Sequence, residues 1–309
     1  MTATTATTAS PAATLWGPLA EPIHNDEAGP GDPVWKDNGY LSFWDVERQV
    51  FGTFHVSTSP NGTGARRARC SVLLGGEGGR VVEVIEDLEP GTFTSQSISF
   101  GLDGTITVDH PDLVARLQNS PIHQPADYST TDLIPALVPG KPLQHFQQAC
   151  RLVGTFDAVG VQYDVDGFGM RDRTWGFRDE SAQWAEYAGL VGVFDGGDDQ
   201  VFVTAMKFLG TDGVMKADGF VIDADGSHSI TEIGFRRTAA AQFLAGTLTL
   251  ADGSVRVVTL TDRLAGFFVP MGAETDGPAF GTYDDFMQLE LDGGTGAGFF
   301  EQGIVHRVY

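Results

Sequence analysis

The residues Gly167 to Asp179 read GFGMRDRTWGFRD, and the last nine hold three arginines, two aspartates and a tryptophan. Aromatic rings buried beside unpaired charges are costly, so these arginines and aspartates are expected to pair. In an extended chain Arg171, Arg173, Trp175, Phe177 and Asp179 share one face, and Asp172, Thr174, Gly176 and Arg178 share the other. Either face then offers an Arg–Asp couple. One reading is a salt-bridge network that ties two parts of the molecule together. The other is an acid–base site. A carboxyl group kept protonated in an apolar pocket is a strong acid, and a second, ionised one can accept a proton from water. Arginine is effectively always charged, so it can orient a carboxylate but cannot be the proton donor.

Other segments carry weaker signals. Glu301 alternates with Phe299 and Val305, and a carboxylate on an apolar face is either paired or functional. Asp164-Val-Asp-Gly167 and Asp223-Ala-Asp-Gly226 resemble calcium loops only superficially, because they lack the further oxygen ligands and the closing glutamate; both read as hairpin turns. Gly75-Gly-Glu-Gly-Gly79 lacks the lysine of a phosphate loop. The seven histidines show no metal-ligand spacing, and no Gly-x-Ser-x-Gly elbow occurs. His145 reads either as a satisfied core histidine or as a residue facing a cavity.

The stretch from His145 to Gly154 (HFQQACRLVG), followed by Asp166 to Asp179, resembles the signature of the AttH/carotenoid 1,2-hydratase-like superfamily, as does the closing Gly296 to Gly303 (GAGFFEQG). The resemblance covers roughly the second half of the chain; the first half matches in strand pattern alone. It implies two lipocalin-like domains, and a hydratase, dehydratase, isomerase or cyclase acting without a cofactor on a terpenoid-like molecule. The superfamily's Asp-His-Ser-Trp-Gly strand falls on Asp172, Arg173, Thr174, Trp175 and Gly176. Arg173 departs from that pattern, since histidine can exchange a proton near neutral pH and arginine cannot. The donor is then expected to be Asp172 or Asp179, with Tyr163 or Glu301 next. Arg171, Arg173 and Arg178 orient the carboxyls, and Trp175 lines the cavity. Tyr163, His145, Phe177 and Arg171 complete the expected substrate contacts. The expected reaction is addition or removal of water on an apolar isoprenoid or terpenoid-type substrate, with neither metal nor nucleotide. A lipocalin-like carrier and an isomerase or cyclase in the same pocket are the alternatives.

Elements to hold such a site are legible in the punctuation. Asp-Gly recurs nine times, at 103, 166, 195, 212, 218, 225, 252, 276 and 292, and Asn-Gly at 38 and 61. Both dipeptides suit tight hairpin turns of type I′. Between them Val46–Ser57, Cys70–Leu74, Arg80–Ile85, Thr92–Phe100, Thr105–Val108, Val201–Phe208, Ile230–Phe235, Thr247–Leu250 and Val255–Leu260 alternate as strands. Short helices are expected at Pro111–Gln118 and at Asp179–Tyr187, the latter capped by Asp179. Pro121–Pro142, rich in proline, reads as a connector. The expected fold is all-β, with two lipocalin-like antiparallel β-barrel domains side by side, because closure hides sheet edges. Residues 1–14 form a disordered tail, 15–142 a first domain with its connector, and 143–309 a second.

Composition narrows the partners. The 41 acidic against 19 basic residues give a formal charge of −22, and the one basic cluster is Arg66, Arg67 and Arg69. Phosphate backbones demand clustered cations, so nucleic acid and anionic membrane surfaces are excluded as expected partners. Cys70 and Cys150 are too few for a disulfide framework. No secretory leader and no apolar run of membrane-spanning length is found, so the expected location is cytoplasmic. A homo-oligomer is left open.

Overall fold

The computed structural model describes residues 15–304, except 77, 132, 198 and 271–280. The expected tail at 1–14 lies outside the described residues. The first sheet contains β1 (Trp35–Asp45), β2 (Val50–Thr58), β3 (Arg67–Leu74), β4 (Arg80–Glu86), β5 (Ile98–Phe100), β6 (Thr105–His110), β7 (Leu113–Pro121), β8 (Ala126–Asp127), β9 (Gln144–Ala158) and β10 (Val161–Phe177). Its order is β4-β3-β2-β1-β10-β9-β7-β6-β5, with β8 on β9. The sheet curls into a half-barrel whose ends are tied by side chains. The Glu86 carboxylate at the end of β4 accepts from Ser95 Oγ, Ser97 N and Ser97 Oγ, just ahead of β5.

A four-residue helix α1 (Glu180–Gln183) leads to a second sheet of β11 (Trp184–Asp195), β12 (Gln200–Gly210), β13 (Met215–Asp223), β14 (Gly226–Arg237), β15 (Phe243–Leu250), β16 (Val255–Pro270), β17 (Gly281–Leu291) and β18 (Gly294–Ile304). These close into a barrel, β11 pairing with both β12 and β18. The expected all-β architecture of two lipocalin-like units holds, the first of them curled rather than closed.

Several expectations are corrected. Pro111–Gln118 is no helix; it contributes to β7, in which Leu113, Ala115, Leu117 and Asn119 are buried in strict alternation. The strands over 144–177, expected in the second unit, hydrogen-bond into the first sheet, so the junction falls at 178–183. Pro121–Pro142 packs between the sheets through Tyr128, Leu133 and Ile134. Asp-Gly turns do close hairpins at 103, 212, 252 and 292. Only Asp292 itself takes positive φ, as a type I′ turn requires; at Asp103, Asp212 and Asp252 the carboxylate accepts the amide two residues on. Asp166-Gly167, within the expected 164–167 turn, instead lies inside β10, and Asp218-Gly219 lies inside β13. A Cβ on Gly167 would stand 2.3 Å from the Trp44 carbonyl, so this glycine serves close strand approach.

Alternation sorts the apolar side chains into three layers. Leu41, Phe43, Phe54 and Phe156 fill the half-barrel. Leu190, Phe194, Phe243 and Phe300 fill the closed barrel. Trp44, Phe51, Met170, Tyr187, Phe286 and Phe299 form a middle layer, where the outer faces of the two sheets meet. The site described next opens in that middle layer.

Candidate active site

Strand β10 sends its charged residues to both sides. Arg171, Arg173 and Trp175 point into the half-barrel, while Met170, Asp172 and Thr174 face the cleft between the sheets. The two faces expected from an extended chain are therefore present, but the expected couples are not. Arg173 pairs with Asp37 on β1, its Nε and Nη2 donating at 2.7 and 2.8 Å, and its Nη1 reaches the carbonyls of Leu19 and Glu21. Burial opposes ionisation of Asp37, yet bonds from His24 and Arg173 outweigh it and leave the pKa below the usual value. Arg171 has its guanidinium against the Trp16 and Phe100 rings and donates to the Gly101 carbonyl and Asn119 Oδ1. Trp175 stacks on His24 and Phe146. This face is a filled core.

The cleft face differs. Asp172 Oδ2 contacts His145 Nε2 from β9, and the carboxylate also accepts from Thr174 Oγ1 at 3.0 Å and Gln147 Nε2 at 3.3 Å. Burial raises its pKa, but His145 and these donors lower it further than burial raises it, so Asp172 stands ionised. His145 meets Asp172 through Nε2, and the other ring nitrogen, Nδ1, is buried and has no hydrogen-bond partner. Tyr128 stacks on the ring and holds its plane, with its own hydroxyl 2.8 Å from Thr204 Oγ1 on the barrel.

The barrel supplies the opposite wall. Glu301 on β18 is half-buried, and its Oε2 accepts from Tyr187 at 2.8 Å. Burial pushes its pKa up to about 6, helped by the Asp172 charge and opposed by bonds from Tyr187 and Thr282. Directly across the strand pair lies Asp284 on β17. It is fully buried, and its Oδ2 accepts from Tyr40 of β1 at 2.5 Å. Burial and the neighbouring Glu301 raise Asp284 well above the usual carboxylate range. Two adjacent buried carboxyls cannot both ionise cheaply, so this pair holds a proton. The cleft between the walls has about 640 Å³ of empty space, part of it open to solvent. Ile134, Met170, Trp184, Tyr187 and Phe208 give it apolar and aromatic lining.

Of the expected site residues, the fold brings Asp172, His145, Arg178 and Glu301 into this cleft. Arg173, Arg171 and Trp175 lie behind the sheet, Phe177 packs on Trp35 with Lys141 over its ring, and Tyr163 packs against the half-barrel core. Asp179 is exposed, and its carboxylate caps α1 by accepting from Ala182 N. Sequence reasoning missed Tyr40, Tyr187, Asp284 and His55. Asp284 shares its strand face with Thr282, Gln288 and Glu290 as well as Phe286, so no apolar alternation singles it out. Among the described residues no group of three or more His, Cys, Asp or Glu is placed to hold a metal ion, and no helix is long and apolar enough to cross a membrane.

Residues 20–304 match the family described as a domain of unknown function, DUF7064. The chain belongs to the DUF7064 family. No curated protein matches this DUF7064 chain in sequence. Among solved structures, CghA in complex with Sch210972 aligns with TM-score 0.59 at 9% identity, over 96% of this chain and 97% of that one. A Nitrosomonas europaea protein named for AttH aligns with TM-score 0.57 at 16% identity, covering 91% of this chain and 98% of the other. Kievitone hydratase from Nectria haematococca aligns with TM-score 0.53 at 11% identity over 92% of each chain. The resemblance to the AttH/carotenoid 1,2-hydratase-like superfamily, drawn from residues 145–179, thus holds at the level of the fold. The DUF7064 protein shares that fold with a hydratase. Asp172 faces the cleft and Arg173 turns inward, and two histidines line the cleft: His145 on the neighbouring strand β9 and His55 on β2.

Proposed function

We propose that this DUF7064 protein is a cofactor-independent hydro-lyase that adds water to, or removes it from, an apolar isoprenoid or terpenoid-type small molecule. The observation that carries the reading is one cleft with a proton-holding carboxyl on one wall and an ionised Asp–His pair on the other. Supporting it, the fold recurs in a protein named kievitone hydratase and in CghA, solved with Sch210972.

In the hydration direction the Glu301 carboxyl gives its proton to one alkene carbon, and the adjacent carbon becomes cationic. Rings of Trp184, Tyr187 and Phe208 line the space beside it, and an aromatic face stabilises a cation by about 0.5–2 kcal/mol. Water adds to that carbon and passes its proton to His145 Nδ1, with Asp172 holding the ring through Nε2. Dehydration runs the same transfers in reverse. A carrier would have its charges paired and remote from the ligand, which describes Arg173 and Asp37 but not Glu301. An isomerase or cyclase would use the same acid and base without the water.

The test is mass spectrometry of terpene alcohols and alkenes incubated with the protein. A mass change of one water, lost in both Glu301→Gln and His145→Ala, is the expected result. Unchanged turnover in Glu301→Gln would sink the assignment. Bound ligand recovered with unchanged mass but altered retention would move the reading to an isomerase.

A further inference from the structure

Charge is distributed unevenly along the cleft wall nearest the junction of the two units. Arg178 lines the cleft, with its guanidinium over the Trp184 ring. Its Nε lies 2.7 Å from Glu180 Oε1, an ion pair without hydrogen-bond alignment. Glu180 is not Arg178's alone. Lys36 Nζ donates to both of its oxygens, at 3.0 and 2.8 Å. Burial disfavours the Glu180 charge, but Lys36 and Arg178 together hold its pKa below the usual value. Two cations thus share one anion, all of them largely removed from water.

The surplus reaches the cleft. His55, which also lines it, is pushed down to about 4, first by burial and then by the charges of Arg178 and Lys36, with Asp172 and Glu180 opposing. The other charged groups of the cleft are Asp172 and the Asp284–Glu301 pair. Asp172 is held by His145, Thr174 and Gln147, and the Asp284–Glu301 pair shares one proton under Tyr40 and Tyr187, while neither carboxyl group forms an ion pair with Arg178. A buried or half-buried cation without its own counter-ion is costly, and an anionic ligand oxygen would relieve that cost.

We infer that Arg178 is the anchor for an acidic oxygen on the ligand, so that the cleft takes a molecule with an apolar body and one carboxylate or similarly acidic oxygen. The apolar body lies along Ile134, Met170 and Phe208, and the anionic end meets the guanidinium beside Trp184. This narrows the substrate class of the proposed function. It rests on that reading for the place of the site, not for its chemistry, since binding alone tests it.

The probes are geranic acid and geraniol, an isoprenoid acid and its alcohol, titrated into the intact protein by calorimetry at neutral pH. The acid is expected to bind about tenfold tighter or more, the scale of one charge-assisted hydrogen bond. Arg178→Gln removes the preference and leaves geraniol affinity within about twofold, because the alcohol makes no use of the charge. Lys36→Met serves as the second variant: it leaves the cleft lining intact and gives Glu180 wholly to Arg178, so the preference should shrink although no ligand contact is lost. Equal affinities in the unaltered protein, a preference that survives Arg178→Gln, or absence of saturable binding by the acid would each overturn the anchor. A retained acid preference with no water addition would support the anchor while sinking the hydro-lyase reading.

Discussion

The two faces of β10 carry similar residues and put them to opposite uses. On the inner face Arg173 and Asp37 meet in a two-bond pair, and Arg171 lies between aromatic rings and a carbonyl. Arg173 and Asp37 satisfy each other, and Asp37 is ionised more readily than usual. Arg171 has neutral acceptors and aromatic rings around it, and burial lowers its pKa to about 9. On the cleft face the charges are held off balance. His145 keeps a bare nitrogen, Glu301 is poised near neutrality, and Asp284 is kept from ionising. A charged motif therefore divides by side-chain parity into a part that builds the frame and a part that can react. The difference lies in what each face meets across the sheet, not in the motif.

The comparison is broken most directly by removing one residue from each face. Glu301→Gln keeps the shape of the cleft and removes its acid, so turnover should fall by about 10²–10⁴-fold, the usual worth of a general acid. The same variant should fold normally, since glutamine can still accept from Tyr187. Arg173→Met should do the reverse in kind. It strands Asp37, which is fully buried, and breaking a buried pair from one side costs about 3–5 kcal/mol. Denaturant unfolding measures that loss, and a cost below about 1 kcal/mol would mean the inner face is not the frame described.

Acid and base should also separate the two faces. Glu301 has a folded pKa raised from 4.5 to about 6, so its contribution to stability is complete below the unfolded value and is lost as pH rises through about 6. The loss is on the order of 1–2 kcal/mol for a half-buried group. Asp37 runs the other way: its lowered pKa gives stability that is present above the unfolded value of 3.8 and lost as pH falls below it. Turnover in the hydration direction should fall above about pH 6 as the Glu301 proton is lost, while Glu301→Gln should flatten the stability slope between 4.5 and 6. A slope that persists in Glu301→Gln would assign it to Asp284.

How much of this was legible before the structure follows from the same parity argument. Alternation in 171–178 gave the correct two faces, because the side-chain period of a strand is a local property. It could not say that Arg173 would choose Asp37, which lies 136 residues away, over its neighbour Asp172. Pairing across strands is set by register, and register is a long-range outcome. The Asp284–Glu301 and Tyr40–Asp284 contacts were invisible for that reason. The helix expected over 111–118 failed because Leu113 and Leu117 are four apart, a spacing that a helix and a strand both allow; Ala115 between them decides for the strand. At Gly167 and Gly219 the dipeptide signal was right about glycine and wrong about why, since both sit where another backbone passes close by.

Smaller effects sharpen the comparison at the place where the chain leaves one unit for the other. Tyr40→Phe removes the donor that β1 offers to Asp284 of the barrel, and leaves a buried carboxyl with neither oxygen bonded. An unmet buried acceptor costs about 1–3 kcal/mol, so this variant should lower stability and push Asp284 further from ionising, without removing the acid at Glu301. The smallest effect is expected at Asp179, which the bare sequence offers as a proton donor. Its carboxylate instead accepts from Ala182 N, ahead of a single turn of helix, and stands in solvent away from the cleft. Asp179→Ala should cost about 0.5–1 kcal/mol, the low end for an N-cap, because the helix it caps is a single turn. Turnover should be unchanged, in contrast to Glu301→Gln. A drop in turnover at Asp179→Ala with an intact melting profile would mean that the carboxylate reaches the cleft in solution, and the division of the motif by parity would then end at Arg178 rather than run through it.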